Sequence, residues 1–227
     1  MNAPLVFITG ASSGIGQALA QRFARAGWRL ALVASIVGAG HACIAAQGLP
    51  DAVVANAGIS VGIDTADIAD LDVLRDTFET NNIGMAATFH PFVAAMRERG
   101  SGRLVGIASV AGIRGLPGHG AYCASKAAVV SYCESLRVEL AASGVRVVTL
   151  LPGYVDTPLT RGNRYAMPFL MTPQGFAERA YAAIVAGSSY RVIPWQMGVV
   201  AKLLRVLPNA LFDRALAKRG RKRRRAT

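Results

Sequence analysis

Residues 5–27 read LVFITGASSGIGQALAQRFARAG, and this stretch decides the fold. LVFITG is a short apolar run that stops at a glycine, the pattern of a buried strand. Gly10, Gly14 and Gly16 follow within TGASSGIG. The next stretch sets Ala18, Leu19, Phe23 and Ala26 at helical spacing and closes on Gly27. Strand, glycine turn and helix in that order suit a pyrophosphate. The glycines let the backbone come close, and the helix N-terminus offers unpaired N–H groups and the positive end of its dipole. A glycine turn that binds nothing is the alternative at this point.

Working outward, the chain keeps alternating. LALVA (30–34) predicts a second strand, and residues 36–48 a helix weakened by Gly38 and Gly40. DAVVANAG (51–58) is another buried strand. Residues 71–99 predict a long helix with Pro91 as a kink. RLVGIAS (103–109) is a strand, a glycine-rich loop leads to a helix over 122–142, and VRVVTLLPG (145–153) is a strand. Residues 156–171 have no periodicity and read as a substrate loop. Thr172 is an N-cap with Pro173 behind it, and YRVIPW (190–195) is the last strand. The alternation predicts an α/β, Rossmann-like doubly wound parallel sheet in a single domain over 1–194. Two short amphipathic helices follow over 195–219, broken by Pro208, with a basic and disordered tail over 220–227.

Composition excludes several classes. The net charge is +12, but the last ten residues hold seven basic side chains, and without them the body carries +5. The basic character is a tail, not a nucleic-acid-binding face. Three cysteines, Cys43, Cys123 and Cys133, are an odd number without metal-ligand spacing, which predicts a reducing compartment and neither disulfides nor metal. No signal peptide or membrane-length apolar run is visible, so a cytoplasmic protein is expected. Residues 195–225 mix apolar and basic side chains in a way that suits peripheral membrane contact. Packing on the core or on another subunit is the reading slightly preferred.

The chemistry lies in SVAGIRGLPGHGAYCASK, residues 109–126. Tyr122 and Lys126 are four apart and share one helix face. A phenol ordinarily ionises near pH ~10. A fixed ammonium beside it favours the phenolate and lowers that value. Such a tyrosine can exchange a proton with an alcohol or carbonyl, and Ser109 can hold the same oxygen by hydrogen bond.

Taken together, these motifs resemble the short-chain dehydrogenase/reductase family over nearly the whole chain. The residues that carry the likeness are Thr9-Gly10-Ala11-Ser12-Ser13-Gly14-Ile15-Gly16, Asn56-Ala57-Gly58, Asn81 in Asn-x-x-Gly, Ser109, Tyr122-x-x-x-Lys126, and Pro152-Gly153 followed by Thr157. The resemblance implies an NAD(P)-dependent oxidoreductase acting on an alcohol/carbonyl pair, assembled as a homodimer or homotetramer. Tyr122 would be the general acid/base, and Lys126 would lower its pKa and hold the nicotinamide ribose. Ser109 would orient the substrate oxygen, and Asn81, with its neighbour Asn82 as the alternative, would kink the long helix and hold a proton-relaying water. Cofactor contacts are implied for Gly10, Ser12, Ser13, Gly14, Ile15 and Gly16. They are also implied for Asn56, Ala57, Gly58, Tyr122, Lys126, Pro152, Gly153, Val155 and Thr157. Tyr154 and Phe169 are candidates to face an apolar substrate, although closing the core is an equal reading of both. His119 could also touch substrate, but a solvated loop position is preferred for it. A nucleotide-binding protein of the same fold, with catalysis lost and a role as partner or membrane-surface module, is the rival class.

One departure stands out. Between the second strand and DAVVANAG only about 17 residues intervene, where the family carries a helix, a strand and a second helix. About one helix–strand unit is missing, with the join near Ala34, Ser35 and Ile36. Either the native protein is shorter or the chain lacks a segment. The second is preferred, because losing an outer strand exposes apolar surface. It predicts consecutive Cα atoms near 34–36 farther apart than the ~3.8 Å of a bonded pair. The residue after the second strand, which separates NAD from NADP, falls at the join. The form of TGASSGIG with LALVA leans toward NADP.

Overall fold

The computed structural model describes residues 3–33, 38–163, 165–217 and 220–224. Six parallel strands form one sheet: β1 (Leu5–Thr9), β2 (Arg29–Val33), β3 (Ala52–Ala55), β4 (Gly102–Ile107), β5 (Val145–Pro152) and β6 (Tyr190–Ile193), in the order β2-β1-β3-β4-β5-β6. The helices are α1 (Gly14–Arg25), α2 (Ala39–Gln47), α3 (Asp70–Phe78), α4 (Gly84–Arg99), α5 (Gly120–Glu139), α6 (Pro158–Arg161), α7 (Pro173–Val185), α8 (Trp195–Val206) and α9 (Asn209–Leu216).

Alternation along the strands builds both faces. Leu5, Phe7, Val53 and Leu104 meet Cys43 of α2, Phe89 and Phe92 of α4, and Val129 and Cys133 of α5. Val6, Ile8, Val54 and Val105 meet Leu19 and Phe23 of α1 and Phe176 and Ile184 of α7. Successive residues of a strand point to opposite faces, so continuous apolar runs such as LVFI and AVVA serve two cores at once. This is the expected doubly wound sheet.

The missing unit is visible as topology. β2 is a sheet edge, and α2 is the helix among the described residues that carries the chain from β2 across β1 to β3. Leu32 on β2 is 50% exposed, the apolar cost of an uncovered edge. The expectations about the join at Ala34–Ile36 lie outside the described residues. α2 starts at Ala39, later than the sequence pattern suggests, behind Gly38 in the left-handed region (φ 77°). Gly40 is a packing requirement: a Cβ there would stand 2.7 Å from Pro91 of α4.

The long helix over 71–99 is not continuous. A single turn of π-helix, Glu79–Ile83, separates α3 from α4 and carries Asn81 inward to 2% exposure. Such turns are frequent at functional sites. Thr172 caps α7 as expected, its hydroxyl accepting from the Gly175 N–H at 3.1 Å. Part of the basic tail has a definite place, unlike the disorder expected of it: Arg221 and Arg224 pair with aspartates of the 62–70 loop. None of the helices among the described residues is long and apolar enough to cross a membrane.

Leu32→Lys is expected to change stability by no more than about 0.5 kcal/mol in urea denaturation. Leu19→Ala, in the fully buried α1 face, should cost about 2–5 kcal/mol.

Candidate active site

The glycine turn sits where β1 and β3 end side by side. Gly10 and Gly14 have φ of 63° and 56°, a region open to glycine without strain. Gly16 has a different reason: a Cβ there would lie 2.2 Å from the Gly10 carbonyl oxygen. The turn is braced from β3. Asn56 Nδ2 donates to the carbonyls of Thr9 (3.1 Å) and Gly10 (3.0 Å). The Thr9 hydroxyl accepts from the N–H groups of Asn56 (3.1 Å) and Ala57 (3.2 Å). Ser13 is the α1 N-cap, its side chain makes no capping bond, and the first turn holds no acid. The helix end is therefore open to an anion.

A cleft of about 440 Å3 opens in front of this turn. Of the cofactor residues expected from the sequence, all but Gly16 line it: Gly10, Ser12, Ser13, Gly14, Ile15, Asn56, Ala57, Gly58, Tyr122, Lys126, Pro152, Gly153, Val155 and Thr157. Gly16 supports the turn from behind. Among the described residues no Asp or Glu lines the cleft. The glycine turn, the open helix end and the lack of acids fit the pyrophosphate of a nicotinamide dinucleotide. Ser35, at the position that separates NAD from NADP, lies outside the described residues.

Asn81 is an anchor behind the cleft. Its Oδ1 accepts from the Ile59 N–H (2.8 Å), and its Nδ2 donates to the Ile59 carbonyl (3.0 Å) and the Ser125 hydroxyl (2.9 Å). Ser125 in turn donates to the Tyr122 carbonyl (2.9 Å). Asn82 reaches the same turn of α5 through the Ser125 carbonyl (2.9 Å). A Cβ on Gly58 would stand 3.0 Å from Asn81 Oδ1 and 3.4 Å from Lys126 Nζ, a tight fit that crowds both groups.

Ser109 ends the β4 segment and accepts from the Ala111 N–H (3.1 Å) while hydrogen-bonding the Tyr122 phenol. Lys126 is buried on the Tyr122 face of α5, 5.8 Å from the ring centroid, and donates to the Ile107 carbonyl at 2.8 Å. The electrostatics differ from the sequence expectation. Burial pushes the Tyr122 phenol up to about 12, and the Ser109 hydroxyl pulls it only partly back. Burial likewise brings the Lys126 ammonium down to about 8. Desolvation is the largest cause of both shifts.

A second cavity, about 160 Å3, adjoins the cleft and shares Ser109, Tyr122, Gly153, Leu159 and Thr160 with it. Tyr154 and His119 line it. His119 is not a solvated loop residue: it is 4% exposed, with its ring nitrogens bonded to the Pro117 carbonyl (2.9 Å) and the Tyr165 hydroxyl (3.0 Å). Phe169 does not line the cavity and is 49% exposed. Sequence reasoning missed Arg114, Tyr165 and Lys222, and gave Met197, Val200, Leu204 and Phe212 no place in the site, yet all seven line the cavity. The last four come from α8 and α9, so one face of those helices covers the site while Trp195, Val199 and Leu203 stay exposed.

A parallel doubly wound sheet, with a glycine turn at its switch point facing serine, tyrosine and lysine, defines a dinucleotide-binding oxidoreductase. A model of the short chain dehydrogenase family matches residues 4–49 and 41–167. An uncharacterized oxidoreductase of Myxococcus xanthus is 39% identical over 246 aligned positions, covering 95% of this chain and 97% of the relative. A short chain dehydrogenase of Burkholderia cenocepacia in complex with NADP shares the fold with a TM-score of 0.81 at 23% identity, over 95% of this chain and 98% of that one. A 3-ketoacyl-(acyl-carrier-protein) reductase of Brucella melitensis complexed with NADH does so with a TM-score of 0.77 at 24% identity, over 85% and 97%. The chain belongs to the short-chain dehydrogenase/reductase family and is a nicotinamide-dependent enzyme. Its 227 residues are fewer than the 246 aligned positions, so the Myxococcus relative carries residues with no counterpart here. The family match breaks at residues 41–49, within α2.

Gly16→Ala, which drives a methyl group into the Gly10 carbonyl, is expected to weaken NADPH or NADH binding at least about tenfold in fluorescence titration. Asn81→Ala leaves buried partners unpaired and should cost about 1–3 kcal/mol in urea denaturation.

Proposed function

We propose that the enzyme interconverts an alcohol and a ketone or aldehyde, with Tyr122 as general acid/base and an apolar substrate. The observation that carries this reading is the junction of the two cavities: Ser109 and Tyr122 lie on the walls of both. A substrate in one and a nicotinamide in the other would meet at the two hydroxyls. When bound, the cofactor supplies or accepts the hydride.

The chain's own residues handle the remainder. The glycine turn and the α1 N-terminus would hold the pyrophosphate, and Val155 and Thr157 would hold the carboxamide. In reduction the Ser109 hydroxyl donates to the substrate oxygen and fixes it beside the phenol. Tyr122 then gives its proton to that oxygen, and the Lys126 ammonium stabilises the phenolate that forms. A phenol held near 12 is protonated throughout the physiological range, which suits an acid in carbonyl reduction. Asn81 and Lys126 flank Gly58, and a water there would relay the proton back. Val110, Leu116, Leu159, Met197 and Leu204 make the substrate cavity largely apolar. The cofactor is NADP or NAD, and the lean to NADP rests on the form of the glycine motif.

Tyr122→Phe is expected to lower turnover by about 10²–10⁴-fold while nicotinamide binding is kept. Equal turnover in the variant, measured across a ketone and alcohol panel, would remove Tyr122 from the mechanism. The pH profile follows from Lys126. The Tyr122 phenol stays protonated below about 12, while the Lys126 ammonium loses its charge near 8. Carbonyl reduction should be level below about 8 and fall above it, as the charge that stabilises the phenolate is lost.

A further inference from the structure

The substrate cavity carries a charge that proton and hydride transfer leave unused. Among the described residues, the charged side chains on its wall are Arg114 and Lys222, and no Asp or Glu lines it. Arg114 is committed elsewhere. It donates to the carbonyls of Leu204 and Leu207 and to Asn209 Oδ1 (2.9 Å), and its guanidinium covers the Phe212 ring at 3.7 Å. It closes the C-terminal end of α8.

Lys222 is placed differently. Its ammonium donates to the Leu159 carbonyl and to Asn163 Oδ1, both at 2.8 Å and both neutral. None of the ion pairs among the described residues includes it. An ammonium has three donors, and burial pulls this one below its ordinary pKa. A half-buried cation without a counter-charge is costly to hold.

The fold takes some trouble to hold it. The Gly62 N–H donates to the Arg223 carbonyl at 2.9 Å, and Gly62 bridges Arg224 in parallel. Arg224 pairs with Asp67 and with Asp70 (2.8 Å), and Arg221 with Asp64 (3.8 Å). A Cβ on Gly62 would stand 2.3 Å from the Lys222 carbonyl oxygen, and one on Gly118 would stand 2.9 Å from Arg221 Cβ. The tail is clamped on both sides of Lys222, and the clamp leaves Lys222 on the cavity wall.

We propose that Lys222 determines specificity by recognising an anionic group, a carboxylate or a phosphate, on an otherwise apolar carbonyl or alcohol substrate. Asp64, Asp67 and Asp70 are the positioning residues that hold it there. The inference rests on the alcohol/carbonyl reading of this cavity.

A matched pair of ketones tests it. 2-Octanone and 7-oxooctanoate differ only in a terminal methyl or carboxylate. The wild-type ratio of kcat/KM, 7-oxooctanoate over 2-octanone, is expected to exceed one. It should fall about 10–100-fold in Lys222→Ala, mainly through KM, the size of a charged hydrogen bond. Lys222→Arg should restore most of it, and Asp67→Asn with Asp70→Asn should lower it while Lys222 is still present. A wild-type ratio at or below one, or an unchanged ratio in Lys222→Ala, overturns the proposal. The second result would leave Lys222 as a tack between the tail and the 159–163 loop.

Binding without turnover separates this inference from the reading beneath it. Calorimetry with octanoate, octyl phosphate and 1-octanol should show one or both anions binding more tightly than the alcohol, with that difference reduced in Lys222→Ala. Which anion gains more distinguishes carboxylate from phosphate. If neither ketone is turned over but the anion preference depends on Lys222, the alcohol/carbonyl reading falls and the anion site stands. If no anion preference exists, the site falls.

Discussion

The constraint on which the rest depends is the contact between the ends of β1 and β3. Two parallel strands end together there, and the chain leaves β1 through a turn with no side chain at Gly10, Gly14 or Gly16. Asn56 ties the Thr9 and Gly10 carbonyls with its amide, and Thr9 ties β3 back with its hydroxyl. Parallel strands cannot be joined by a tight hairpin, so this seam is held by side chains. It fixes where α1 starts and therefore where an anion can be bound. It also places Gly58 against Asn81 and Lys126, which links the cofactor cleft to helix α5.

Helix α5 brings a second constraint. Tyr122 and Lys126 are close because of helical spacing, but their titration is governed by depth. Burial raises one and lowers the other, so both drift toward their neutral forms. The phenol is thereby held in its protonated form, and the ammonium is brought to where it can lose its charge near 8. The π turn that turns Asn81 inward contributes three hydrogen bonds to the wall beside them.

The substrate cavity is assembled from distant pieces. Loop residues before α5, the segment around α6, one face of α8 and α9, and the basic tail all reach it. The tail is there because three aspartates lie opposite its arginines. Opposite charges at the surface contribute little individually, but a backbone bridge at Gly62 and a close fit at Gly118 add geometry to the charge.

Much of this was legible along the chain. Apolar runs of four and five residues ending in glycine, spaced by helical patterns, sufficed for the doubly wound sheet. Ser109, Tyr122 and Lys126 were legible from their spacing in one short stretch, and Asn81 only from the family resemblance. The shortage of residues before β3 announced the absent unit, and tertiary structure showed its form: β2 at the edge, with Leu32 half exposed. What stayed hidden depends on contacts between residues far apart in sequence. His119 is buried in contact with Tyr165, 46 residues away in sequence. The Tyr122 pKa follows burial, which no local spacing encodes. Lys222 belongs to a run of basic residues that reads as a solvated tail. Only when Asp64, Asp67 and Asp70 are brought against Arg221 and Arg224 does the chain carry that lysine to the cavity.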